Sequence, residues 1–211
     1  MIVGGLAVLA AWSLVRAGRV SIWPAMSLTL GALGVASLVT GSVPLSDRVS
    51  VRVATAAGLA AGVALYLATA AFVMVVQRWP VFDRHVREIY DQRKGLSLGA
   101  ALLLAVGITG PGEELFWRGL FQTRLAQSVG WVAGALLTWA AYVTVNLASL
   151  NLPIIAGGIV AGAAWGSLAL WTHGVLASLL CHMVWTGLML ALPPGRRSAQ
   201  RAAEPADRTA D

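Results

Sequence analysis

The feature that most constrains this chain is a succession of apolar runs, most of them long enough to cross a bilayer and each closed by a short polar stretch. About 20 apolar residues in a helix span the hydrocarbon core. The runs read as spans over residues 2–15, 21–43 and 54–76, a fourth starting near Leu96, and then 129–148, 154–171 and 175–192. The expected fold class is therefore all-α, a polytopic transmembrane bundle of about seven spans. Composition agrees. Only 11% of the 211 residues are charged, against roughly 25% in a soluble domain, and 58% are hydrophobic.

The polar stretches organise the runs. The first run is short, ends at Arg16 and Arg19, and begins without a leading positive cluster, so it reads as a retained span rather than a signal peptide. Pro44–Arg52 is a polar loop. In Gln77–Lys94, Phe82, Val86, Ile89 and Tyr90 fall at helical spacing opposite Arg84, Arg87, Glu88 and Asp91. That spacing predicts an amphipathic helix on the membrane surface. Gly110-Pro111-Gly112 predicts a break in the fourth run. Asn151-Leu152-Pro153 marks a turn. Gly158, Gly162 and Gly166 put small residues on one face of the sixth span, where helices approach closely in lipid. Residues 1–192 form one transmembrane domain. Residues 193–211 are expected to be a disordered polar tail.

The formal charge of +6 belongs to topology rather than to nucleic acid. Arg16, Arg19, Arg78, Arg84, Arg87, Arg93, Lys94, Arg196, Arg197, Arg201 and Arg208 fall on one side if the N-terminus is outside. Arg48, Arg52, Arg118 and Arg124 fall on the other. The positive-inside rule then predicts an integral membrane protein with N-terminus outside and C-terminus cytoplasmic. Its expected surroundings are the bilayer and anionic lipid. The single cysteine, Cys181, permits no intrachain disulfide.

A few ionisable residues stand out inside apolar helices. Glu113 and Glu114 are adjacent and point about 100° apart on a helix. Glu114 and Arg118 are i, i+4 in the favoured order. Their pairing neutralises one carboxylate and leaves Glu113 as a candidate general base, placed at the N-terminus of the restarted helix. The plainer reading, an interfacial ion cluster that anchors the helix, has similar weight. His182 lies inside the last span with Ser178 and Thr186 on the same face, a polar stripe suited to a site or to interhelical packing. Tyr142 and Asn146 share a face of the fifth span, where an asparagine most often serves packing. His85, in the surface stretch, and His173, in a turn, are expected to be solvated loop or surface residues.

Glu-Glu-x-x-x-Arg at 113–118, then Asn151-Leu152-Pro153, Trp165-Gly166 and the His182 helix, together resemble the CAAX-processing and bacteriocin-processing (CPBP, or Abi) intramembrane proteases. The resemblance covers about residues 95–190. It implies a bacterial cell-membrane endopeptidase in which Glu113 activates water, Glu114 and Arg118 shape the site, and residues of two later helices complete it. The substrate would be a membrane or membrane-associated peptide or protein. The sequence departs from the family at two positions. The Phe-x-x-x-His of the family is Tyr142 and Asn146 here, and its His-x-x-x-Asn is His182 and Thr186. Asn146 can still donate to an oxyanion, but it is a poor metal ligand. Zinc needs three protein ligands, and a mechanism without cofactor is favoured over zinc. The expected catalytic set is Glu113, Glu114, Arg118, Asn146 and His182, lined by Tyr142, Ser178 and Thr186. Two alternatives stand beside it. One is a degenerate family member acting as a membrane scaffold or immunity factor. The other is a small proton-coupled transporter using the Glu/His cluster as a relay.

Overall fold

The computed structural model describes residues 1–41, 43–93 and 95–194. The tail expected over 193–211 lies, from Gly195 onward, outside the described residues. Within the described residues eight helices follow in order: α1 (Ile2–Arg16), α2 (Ile22–Thr40), α3 (Val51–Val76), α4 (Pro80–Asp91), α5 (Leu98–Val129), α6 (Trp131–Leu147), α7 (Leu152–Thr172) and α8 (Leu176–Ala191). Four of them, α2, α3, α5 and α7, are long and apolar enough to cross a membrane, and α1, α6 and α8 are shorter apolar helices. The seven apolar helices and one amphipathic helix match the expected all-α architecture. Leucines and valines such as Leu28, Leu67 and Val39 point outward, as lipid-facing side chains do.

Local sequence sets the helix ends. Ser50, Ser97 and Asn151 cap α3, α5 and α7 by accepting the N–H of Val53, Ala100 and Ile154. Each such cap contributes about 1 kcal/mol. Pro80 and Pro153 sit in first turns, where a missing N–H costs nothing.

The expected break at Gly110-Pro111-Gly112 does not occur. Helix α5 runs unbroken for 32 residues through Pro111. Its turns widen to i→i+5 bonding over Leu103–Thr109, where Gly110 N–H reaches Ala105 O, and again over Leu115–Gln122. Proline in an α-helix lacks a donor and crowds the carbonyl four residues back. The wide turn just before Pro111 removes that conflict, and turns of this type cluster at functional sites. Glu113 is consequently at the midpoint of a continuous helix rather than at a helix N-terminus.

Contacts at the two ends hold the frame. On one face, Val175 N–H donates to Pro44 O (2.9 Å), Leu176 N–H to Leu45 O (3.0 Å) and Arg48 N–H to Thr172 O (3.0 Å). The 44–48 segment thus straps the α7–α8 turn. There His173, in the left-handed conformation (φ 50°), stacks flat on Trp131 at 3.7 Å.

On the opposite face, α4 docks against two helix ends. His85 Nδ1 accepts the Leu152 N–H at 3.2 Å, and Asn151 Nδ2 donates to His85 O at 3.2 Å. His85 is therefore bound to the first turn of α7 rather than solvated, because an unpaired N–H there needs an acceptor. Tyr90 Oη donates to Met189 O (3.4 Å) and Arg93 Nη1 to Leu190 O (3.3 Å), filling orphan carbonyls at the end of α8. Burial pushes the Tyr90 phenol up to about 12, so it stays a donor at neutral pH.

Candidate functional site

Three helices, α6, α7 and α8, bring side chains or carbonyls to the polar face at the middle of α5. Trp117, Phe116, Tyr142, Trp165 and Cys181 form the buried centre of the bundle. The expected ionisable residues lie among them. Glu114 is sealed, at 0% side-chain exposure, and Arg118 at 1%. Arg118 Nη1 donates to Glu114 Oε1 at 3.1 Å, as the i, i+4 spacing predicts. Its Nη2 donates to Gly162 O on α7 at 3.1 Å. The guanidinium also lies 4.6 Å from the ring centroid of Tyr142 and 5.3 Å from that of Trp165.

His182 reaches the same carboxylate from α8. Its Nδ1 is 2.9 Å from Glu114 Oε1, and its Nε2 is 3.7 Å from Glu113 Oε2. An ionised Glu114 can only accept, so Nδ1 carries the proton and Nε2 is presented to Glu113. Trp165 stacks on the imidazole at 3.7 Å and 12°, which fixes the ring plane between the two carboxylates. Glu113 differs from its neighbour. It retains 14% side-chain exposure, and Tyr142 Oη donates to its Oε1 at 3.3 Å.

The remaining expected residues divide. Tyr142 meets Glu113 directly. Asn146, on the same face of α6, donates Nδ2 to Tyr142 O (2.9 Å) and lies against Gly158. No hydrogen bond joins it to Glu113 or His182 among the described residues. Ser178 Oγ donates to the carbonyl of Val175, the N-cap of α8, and lies beside Glu114. Thr186 Oγ1 is buried without a partner. So are Glu114 Oε2, Arg118 Nε, Trp117 Nε1, Trp165 Nε1 and Gln122 Oε1. These buried polar atoms line the same core, and each carries a desolvation cost unless something else meets it.

Sequence reasoning missed Gln122. It is 1% exposed, and its Nε2 donates to Gly166 O at 3.1 Å. With Glu114 and Arg118 it completes an i, i+4, i+8 column along α5, a periodicity present in the sequence. Three of the four glycines of α7 face this column and its neighbours: Gly158 faces Asn146, Gly162 faces Tyr142 and Arg118, and Gly166 faces Gln122.

The donor set does not fit zinc. Glu113 and His182 Nε2 offer two ligands; Glu114 Oε1 is taken by Arg118 and His182 Nδ1, and its unpaired Oε2 is buried with the guanidinium beside it. Among the described residues no three His, Cys, Asp or Glu side chains meet in a metal-holding group.

Residues 95–188 match the family described as type II CAAX prenyl endopeptidase Rce1-like. The match starts ahead of α5 and ends inside α8. It contains Glu113, Glu114, Arg118, Tyr142, Asn146 and His182, and leaves α1 to α4 outside. It is consistent with the resemblance to the CPBP proteases carried by the same residues. No curated protein and no solved structure matches the chain.

Proposed function

We propose that the chain, whose residues 95–188 match the Rce1-like family, is an intramembrane endopeptidase in which Glu113 activates water. The observation that carries this reading is the inequality of the two adjacent carboxylates. Glu114 is sealed and held by Arg118 and His182, whereas Glu113 keeps an accessible edge beside His182 Nε2.

We place one water to the side of the 3.7 Å line joining Glu113 Oε2 and His182 Nε2, where both atoms can accept from it. Glu113 takes a proton from it while its oxygen bonds to the substrate carbonyl carbon. His182 Nε2 orients that water. Collapse of the tetrahedral intermediate breaks the C–N bond, and Glu113 passes its proton to the leaving amine. Arg118 and Glu114 hold His182 in the tautomer this requires. No step uses a metal. The family description points to a prenylated C-terminal peptide as the first substrate class to test. The arginine distribution supports N-terminus outside and C-terminus cytoplasmic.

The water step is tested by single turnover in ¹⁸O-water with the purified chain in liposomes and a prenylated CAAX peptide. The label is expected in the new carboxylate of the product and absent from Glu113. Label in Glu113 would mean that the carboxylate itself attacks.

A second reading has one observation in its favour. The Asn146 amide is spent on its own helix, as in a family member that keeps the fold without turnover. In that case the chain hydrolyses nothing until Asn146→His is introduced.

A further inference from the structure

On α6, Thr138, Tyr142 and Asn146 share the face turned toward the bundle centre, and only Tyr142 reaches the reacting carboxylate. Tyr142 Oη lies 3.3 Å from Glu113 Oε1. Asn146, one turn on, donates to the Tyr142 carbonyl instead. The Tyr142 ring is 5% exposed and is held on several sides. A Cβ on Gly162 would stand 2.9 Å from the ring, so the glycine is what admits it. Trp117 and Trp165 meet it edge-on at 5.5 and 6.4 Å, and Arg118 covers one face at 4.6 Å. None of these contacts uses the hydroxyl. The ring is seated by its surroundings and the phenol proton is left for Glu113.

The two oxygens of Glu113 are therefore addressed by two different helices. Oε1 receives the phenol of α6, and Oε2 faces the imidazole of α8 at 3.7 Å. A carboxylate held at one oxygen cannot rotate freely, so the other stays aimed at His182.

We propose that Tyr142 is a positioning residue of the catalytic centre. Its hydroxyl fixes Glu113 Oε1 so that Oε2 remains directed at the water beside His182. On α6 it is Tyr142, one turn before Asn146, that reaches the reacting carboxylate. The inference rests on the endopeptidase reading. The 3.3 Å bond is long for O–H···O, and catalytic hydrogen bonds commonly tighten once substrate is bound.

The test uses the full chain in liposomes, wild type, Tyr142→Phe and Glu113→Gln, with a prenylated CAAX peptide. Phenylalanine keeps every ring contact, so the variant is expected to melt with the wild type. Its kcat is expected to fall roughly 10- to 100-fold, the usual effect of losing a hydrogen bond to a charged group, with KM within about twofold of wild type. An infrared difference spectrum adds a readout independent of turnover. The carboxylate band that disappears in Glu113→Gln should move in Tyr142→Phe. A kcat within twofold of wild type together with an unmoved band overturns the proposal while leaving the endopeptidase reading intact, provided Glu113→Gln is inactive. Full activity in Glu113→Gln overturns that reading instead, and the band then reports alone on whether Tyr142 holds the carboxylate.

Discussion

Where α2 meets α5, glycines bring backbone against backbone. A Cβ on Gly112 would stand 2.2 Å from Leu30 O, and one on Gly34 would stand 2.7 Å from Gly112 Cα. Where α7 meets α5 and α6, glycines again line the contact, but side chains fill it. Gly158, Gly162 and Gly166 face Asn146, Tyr142 with Arg118, and Gln122. In the first contact the missing Cβ shortens the distance between helices. In the second it makes room for polar groups, and the Gly162 and Gly166 carbonyls accept their hydrogen bonds. A small residue in a membrane helix thus marks close approach of something. Its neighbours decide whether that is a backbone or a functional side chain.

Substitutions separate the two uses. Arg118→Met in the polar contact should have the largest effect. It leaves Glu114 buried with its ion-pair partner gone, a loss of about 3–5 kcal/mol. It should show as a collapse of folded yield in mild detergent, partly recovered by adding Glu114→Gln. Gly112→Ala in the backbone contact should cost about 2–3 kcal/mol by overpacking, read as a lowered melting temperature, because Leu30 O cannot yield without moving α2. Gly162→Ala should act differently. The Tyr142 ring can tilt, so stability should fall by about 1 kcal/mol. Turnover should fall about tenfold as the phenol leaves Glu113. Gly158→Ala should be nearly silent, since its Cβ would meet Asn146 at an ordinary 3.5 Å. Alanine's better helix propensity offsets what little is lost, to within about 0.5 kcal/mol. If Gly162→Ala costs as much stability as Gly112→Ala and spares turnover, the two contacts are not different in kind.

Much of this arrangement was legible in the sequence. The apolar runs gave the number of helices, because hydropathy needs no tertiary information. The Glu114–Arg118 pair and the Ser178/His182/Thr186 stripe followed from helical spacing. What spacing could not supply was depth and rotation. Tyr142 and Asn146 share a face, so the pattern alone does not say which of them lies level with Glu113. Pro111 signalled a break because the rule assumes α-helical turns. The widened turn over Leu103–Thr109 accommodates it instead, leaving Glu113 mid-helix. His85 looked solvated because its partner, the Leu152 N–H, is 67 residues away. Gln122 was overlooked although its i+4 spacing from Arg118 was visible.

The division of labour between the adjacent carboxylates is read by measuring peptide hydrolysis and thermal stability side by side in Glu113→Gln and Glu114→Gln. Glu113→Gln is expected to melt close to the wild type and to lose turnover by about a hundredfold or more, while Glu114→Gln is expected to melt markedly lower because Arg118 loses its charge partner. A stable, inactive Glu114→Gln beside an active Glu113→Gln would contradict that division.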